Sequence, residues 1–418
     1  MNDALTIRQT YNLRLVTAWF LYVTFNGILR KWLLTDALTG NILLGIQIVA
    51  PVAFVGLART ERLSSFLFTV LMLYSGLLLL MIVNPMNRNV TTGLIGFCLH
   101  MGLFLPLLIY LNEPEAFPLE RMNRLLVIVA GLEVVLGIVQ FMAPADSVLN
   151  KYVRDTSQEG GIATLYAINR VRITGTFSYL GGITGLFSLF GFCIWGMRLA
   201  RASPLYVYLL LIACAVISPM TGSRGLTALL LILTTCALLT TLTDVRQSAY
   251  LAGLLGVFVV ASQYTDMSLV REAYTGLSAR VASHVDDGEN RSRIIGQLEE
   301  IIEFRGRYPL LGTGLGGTYQ GAKALFGESE YLQEYGYYEE EPERIILEGG
   351  YLLFLIRLLL WVVVLRQFSI PLGYGLMLAY LHIFNVATVF NVFGMFYSML
   401  GLMYLDRCYH LRKRTLSP

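Results

Sequence analysis

Ser64-Ser-Phe-Leu-Phe-Thr-Val-Leu-Met-Leu-Tyr-Ser-Gly-Leu-Leu-Leu-Leu-Met-Ile-Val83 contains no charged residue. A helix rises about 1.5 Å per residue, so about 20 apolar residues cover a hydrocarbon core of roughly 30 Å, and this stretch has that length. Similar runs fall on either side of it, near 13–29, 42–58, 93–111, 124–142, 178–197, 204–219, 225–243, 249–263, 350–366, 370–388 and 391–406. Together they make twelve, of which the first, seventh and ninth are the shortest or the most polar. Composition agrees: of 418 residues, 56% are hydrophobic and 14% charged, where a soluble domain has roughly 25% charged residues. The mean hydropathy is +0.62, which excludes a soluble enzyme. The expected fold class is an all-α polytopic membrane protein with about 12 transmembrane helices and a large extracytoplasmic loop between spans 9 and 10.

Basic residues in the short loops set the orientation. With the C-terminus inside, one side receives Arg8, Arg14, Arg59, Arg62, Arg121, Arg124, Arg198, Arg201, Arg246, Arg366, Arg407, Arg412, Lys413 and Arg414. The opposite short loops hold Arg30, Lys31, Arg88 and Arg224. Both termini are therefore expected in the cytoplasm, and 144–177 and 264–349 fall outside. The first apolar run leads to Arg30-Lys31 rather than to a small-residue cleavage site, so it is expected to remain as a span. The expected organisation is 1–263 with spans 1–9 and the outer loop 144–177, an extracytoplasmic loop domain over 264–349, and 350–418 with spans 10–12 and a tail. The net charge of +3 is too small to imply nucleic acid. The five cysteines lie in or beside spans, and no His or Cys spacing suits a metal, so neither disulfide-stapled loops nor a metal cofactor is expected.

Arginine in or beside a bilayer is costly and usually functional. Arg224 sits in Thr221-Gly-Ser-Arg-Gly225 on the outer side, where topology does not require a cation. It either snorkels to lipid phosphates or, with glycines permitting close approach, clasps an anionic head group. Arg170 and Arg172 occur in Asn169-Arg-Val-Arg-Ile-Thr-Gly-Thr-Phe177, just before the sixth span; they either anchor that span or bind a ligand. An amphipathic helix is expected over 290–304, opened by Arg291 and Arg293 against the sense of the helix dipole. A bound phosphate would explain that placement, as would the nearby Asp286, Asp287 and Glu289.

The acidic run Glu339-Glu-Glu-Pro-Glu-Arg344 reads mostly as a solvated turn, although crowded carboxylates such as Glu339 and Glu343 suit general-base work. Glu348 differs, because it follows Ile345-Ile-Leu347 where the chain returns to the membrane. Glu343 and Glu348 are five positions apart and so are not simple neighbours on a helix face. Gly312-Thr-Gly-Leu-Gly-Gly317 has no preceding strand and no Lys-Ser/Thr ending, and reads as a turn rather than a nucleotide loop. Tyr331, Tyr335, Tyr337 and Tyr338 could stack on sugar rings or form an interfacial belt.

These pieces resemble the O-antigen ligase and polymerase superfamily of bacterial membrane glycosyltransferases. The matching residues are Arg172-Ile-Thr-Gly-Thr-Phe177 before a span, Ser223-Arg-Gly225 opening a span, Arg293 ahead of Pro309-Leu-Leu-Gly-Thr-Gly-Leu-Gly316, and Glu348-Gly349 leading into a span. The resemblance covers roughly 165–365. It implies action on undecaprenyl-diphosphate-linked glycans at the outer face of the inner membrane, with no nucleotide sugar and no required cofactor or metal. Arg224 and Arg293 would bind the donor diphosphate, with Arg172 assisting and Arg291 beside them. An acceptor hydroxyl would attack the anomeric carbon with inversion, helped by a general base. Ligases usually carry a His about nine residues before the Glu-Gly pair, whereas this chain has Glu339 there and no histidine in 285–381. A carboxylate (Glu339 or Glu343) replaces the imidazole, or the base lies elsewhere.

The expected function is a polysaccharide polymerase of the bacterial inner membrane. Its partners would be the lipid-linked glycan, the growing polysaccharide acceptor, membrane lipids and other polysaccharide export proteins. A ligase passing glycan to a lipid or protein is the rival within the superfamily. A transporter or flippase is the rival from another class, because twelve spans with both ends inside are common there too and Glu133 and Arg357 lie inside spans; the absence of an internal repeat and the asymmetric outer loop argue against it.

Overall fold

The computed structural model describes residues 16–53, 64–87, 89–102, 104–151, 163–241, 268–286, 310–319, 327, 341–381 and 392–416. Among the described residues, 80% are helical, and six helices are long and apolar enough to cross a bilayer: Ser65–Ile82, Val90–Asn112, Leu119–Met142, Leu180–Leu199, Pro204–Thr221 and Glu341–Leu365, the last kinked at Gly350. In chain order the helices are α1 (16–28, continuing as a π-helical turn Leu29–Leu33), α2 (Ala37–Ala53), α3 (Ser65–Ile82), α4 (Val90–Met101), α5 (Phe104–Asn112), α6 (Leu119–Met142), α7 (Leu180–Leu199), α8 (Pro204–Thr221), α9 (Arg224–Thr241), α10 (Ser268–Asp286), α11 (Glu341–Leu365), α12 (Leu372–Tyr380) and α13 (Val392–Leu416). A two-residue hairpin, β1 (Thr164–Leu165) with β2 (Arg170–Val171), interrupts the helices before α7. The run at 249–263 and the expected helix at 290–304 lie outside the described residues.

Local chemistry sets the helix ends. Ser64 caps α3 by accepting from Leu67 N–H at 3.2 Å, and Asn89 caps α4 by accepting from Thr92 N–H at 2.8 Å, each satisfying a donor that has no partner within the helix. Gly222 ends α8 in the left-handed region at φ 60°. α7 is apolar and buried on almost every face, as expected of a helix at the centre of a bundle. It packs along α13 and α9. Small residues allow this approach: a Cβ on Gly196 would meet Tyr404, and one on Gly401 would meet Phe192. The outer helices turn the reverse face outward. Phe66, Met72, Leu73 and Leu80 of α3, and Ile128, Leu132 and Val135 of α6, are exposed. Apolar patches of that extent suit lipid rather than water.

Hydrogen bonds sort the helix ends into two sets. At one end Gln367 donates to Ser64, Tyr110 to Asp406 (2.7 Å), Arg412 to the Thr240 carbonyl, and Arg414 pairs with Glu115. At the other end Trp32 donates to the Val148 carbonyl, Arg30 to Ser178, Arg172 to the Thr221 carbonyl, and Asn84 to the Gly312 carbonyl.

α11 departs from the expected solvated acidic turn followed by a span from 350. Gly350 has φ 71° and breaks the helix, and Arg357 Nη2 lies 2.9 Å from Glu341 Oε1. Sixteen positions of straight helix would separate these residues by about 24 Å, beyond the reach of both side chains. Residues 341–349 therefore double back beside 351–365, and Glu341, Glu343, Arg344 and Glu348 are all buried. Irregular backbone at such depth is tolerated where protein encloses it.

The Gly312–Gly317 run is a packing turn rather than a phosphate loop. Gly316 has φ 79°, and a Cβ there would lie 2.1 Å from the Thr92 carbonyl oxygen, whereas a Cβ on Gly317 meets nothing within 4 Å. Gly316→Ala is expected to destabilise the protein by more than about 1–2 kcal/mol, the cost of left-handed backbone alone, and Gly317→Ala by far less. Thermal unfolding of the two variants in one detergent checks the difference.

Candidate functional site

Glu348, singled out in the sequence for its position, is the centre of a buried polar chain. Its Oε1 accepts from Thr318 N–H at 3.0 Å and from Thr318 Oγ1 at 2.6 Å, and its Oε2 lies 3.1 Å from His100 Nε2. His100 Nδ1 lies 3.2 Å from the Tyr74 hydroxyl, Arg357 Nη1 donates to that hydroxyl at 3.1 Å, and Arg357 Nη2 reaches Glu341. All these side chains are buried.

The donor inventory orients the chain. A guanidinium only donates, so the Tyr74 oxygen accepts from Arg357 and its own proton points to His100 Nδ1. That leaves the His100 proton on Nε2, donated to Glu348. The pattern Arg357 to Tyr74 to His100 to Glu348 thus ends on an ionised carboxylate that accepts three hydrogen bonds. Such a carboxylate is a poor general base and a good anchor: with Thr313 N–H on the Leu347 carbonyl (2.8 Å) and Gly314 N–H on the Glu348 carbonyl (3.0 Å), it fastens the glycine turn to α11. Arg344 adds a bond to the Thr318 carbonyl. Glu343 is buried in the same doubled-back segment.

A second constellation gathers at the 163–178 loop. Arg172 donates from Nε to the Thr221 carbonyl at 2.8 Å, and Ile173 N–H bonds the Met220 carbonyl at 3.3 Å. A Cβ on Gly222 would lie 3.2 Å from Arg172 Nε. Arg172 therefore lies against the turn that leads directly into Arg224, the first residue of α9, and both arginines are half-buried. Ser223 caps α9 by accepting from Leu226 N–H. Two cations beside a helix N-terminus make a strongly anion-attracting place. Arg170 is engaged elsewhere: it forms a two-bonded pair with Glu272 of α10 at 2.9 and 3.2 Å, which raises its guanidinium above the ordinary value. Arg291, Arg293 and Glu339 lie outside the described residues.

The sequence offered no signal for His100, which lies within an apolar run and 248 positions from Glu348. Lys31, Gln140 and Glu133 are in the same position: each was readable as polar, but none as a contact of the Arg172 loop. No protein-family model, curated protein or solved structure matches this chain.

Removing one member of a buried ion pair strands the other, at about 3–5 kcal/mol, whereas replacing both by apolar groups is often neutral. Arg357→Met is expected to lower thermal stability steeply, and the double variant Glu341→Met/Arg357→Met to recover most of the loss. Side-chain ¹⁵N shifts of labelled histidine are expected to place the His100 proton on Nε2; a proton on Nδ1 would overturn the orientation of the chain.

Proposed function

We propose that the protein is a membrane glycosyltransferase that joins oligosaccharide repeat units carried on undecaprenyl diphosphate, acting as a polysaccharide polymerase at the outer face of a bacterial inner membrane with both termini in the cytoplasm. One observation carries this reading: Arg172 bonds the Thr221–Gly222 turn, which leads within two residues into Arg224 at the end of an apolar helix bundle. A lipid diphosphate brings its charge to the membrane surface, and guanidinium groups bind phosphate through paired hydrogen bonds. Arg293 and Arg291 would complete the set.

In the proposed reaction an acceptor hydroxyl oxygen bonds to the anomeric carbon as the bond from that carbon to the diphosphate oxygen breaks. The lipid diphosphate leaves with the electron pair, and its growing charge is stabilised by the arginines, a preorganised electrostatic role. The hydroxyl proton passes to a carboxylate. Because Glu348 already accepts three hydrogen bonds, the carboxylates better suited to that proton are Glu343 and Glu339. A ligase-type transfer draws support from one contact, the imidazole of His100 against the Glu348-Gly349 pair.

Charge-assisted hydrogen bonds contribute about 1.5–3 kcal/mol each, so Arg172→Ala and Arg224→Ala are each expected to cut polymer output by roughly 10-fold to 100-fold at equal protein level. Unchanged polymer length in cells carrying both substitutions would sink the proposed site. Accumulation of a one-repeat lipid intermediate on deletion supports polymerisation, and accumulation of full-length lipid-linked polymer supports ligation.

A further inference from the structure

The segment joining Arg172 to α7 has no helix or strand to hold it over 172–179, yet its polar groups are met one by one from two helices. Gln140 Oε1 accepts from Thr174 N–H at 3.2 Å and Gly175 N–H at 2.8 Å, and Gln140 Nε2 donates to the Gly175 carbonyl at 3.1 Å. Glu133 Oε2 accepts from Thr176 N–H at 3.1 Å, and its Oε1 contacts the Thr176 hydroxyl. From the π-helical turn that ends α1, Lys31 Nζ donates to Thr174 Oγ1 at 3.0 Å and to the Gly175 carbonyl at 2.9 Å. The fit is close on both sides. A Cβ on Gly27 would lie 2.3 Å from the Thr176 carbonyl oxygen, and one on Gly175, at φ 58°, would lie 1.9 Å from Glu133 Oε2.

A buried ammonium and a buried carboxylate are poor means of stabilising an apolar bundle, since well-packed apolar residues of the same volume do as well or better. What these two charges do is fix three consecutive residues in one conformation. Two positions upstream, the same strand of backbone delivers Arg172 to the Thr221 carbonyl. A displacement of about 1 Å in a binding group can cost roughly 100-fold in rate, so the tether has direct leverage on the anion site.

We propose that Lys31, Glu133 and Gln140 are positioning residues that lock Thr174–Thr176 and thereby aim Arg172 at the turn before Arg224, tuning the site for a lipid-linked diphosphate. The proposal rests on the diphosphate reading of that site. Gln140→Leu tests it without stranding a charge, Lys31→Met removes the ammonium, and Lys31→Arg restores a donor able to reach both acceptors. Two quantities are measured on detergent-solubilised full-length protein: amide hydrogen exchange of 174–176, and affinity for undecaprenyl diphosphate by titration.

The expected result is exchange at least about tenfold faster and affinity about tenfold weaker in Gln140→Leu and Lys31→Met, with Lys31→Arg close to the unaltered protein. A role confined to stability would lower the melting temperature while leaving the affinity of the folded fraction unchanged. Faster exchange with unchanged affinity, while Arg172→Ala weakens binding, overturns the positioning role alone. Unchanged exchange in both variants shows that no tether exists. Unchanged affinity in Arg172→Ala removes the diphosphate reading and the proposal together.

Discussion

An ionised side chain inside an apolar bundle has no water to fall back on, so each one has to be met by protein groups. That constraint organises this molecule at two places. Glu348 accepts from Thr318 and His100, and Arg357 is held between Glu341 and the Tyr74 hydroxyl. Lys31 and Glu133 both hold the backbone around Gly175. Each cluster ties an irregular segment to regular helices. The glycine turn at 312–318 and the doubled-back residues 341–349 depend on the first, and the loop that carries Arg172 depends on the second.

In both clusters the inward side chains hold geometry, while Arg172 and Arg224 are half-buried at the end of the bundle. Glu348 illustrates the distinction. Its position just before a membrane crossing suggested chemistry, but a carboxylate with its acceptor sites occupied is suited to anchoring. His100 supplies the complementary case, since neutral imidazole relays a donor direction from Arg357 without carrying charge.

Much of the helical framework was legible because it depends on local quantities. The run at 64–83 is a helix over Ser65–Ile82, and the run at 124–142 lies within Leu119–Met142; length and apolarity suffice for both. Residues 341–344 of the acidic run are buried rather than solvated, which was not legible because nothing local reveals that Gly350 folds them back beside Arg357. The importance of Arg172 and Arg224 was readable from charge placed where topology did not require it. Their common turn was not, and neither was the tether beneath Arg172, whose members come from α1, α6 and the loop itself.

By itself, then, the sequence determined that this is a helical membrane protein and which scarce cations beside its spans needed an explanation, because hydropathy and charge act residue by residue against a slab of known thickness. Only the tertiary structure decided which charges compensate one another. Pairing in a low-dielectric interior depends on distances of about 3 Å between groups, and here those groups lie as far as 248 positions apart.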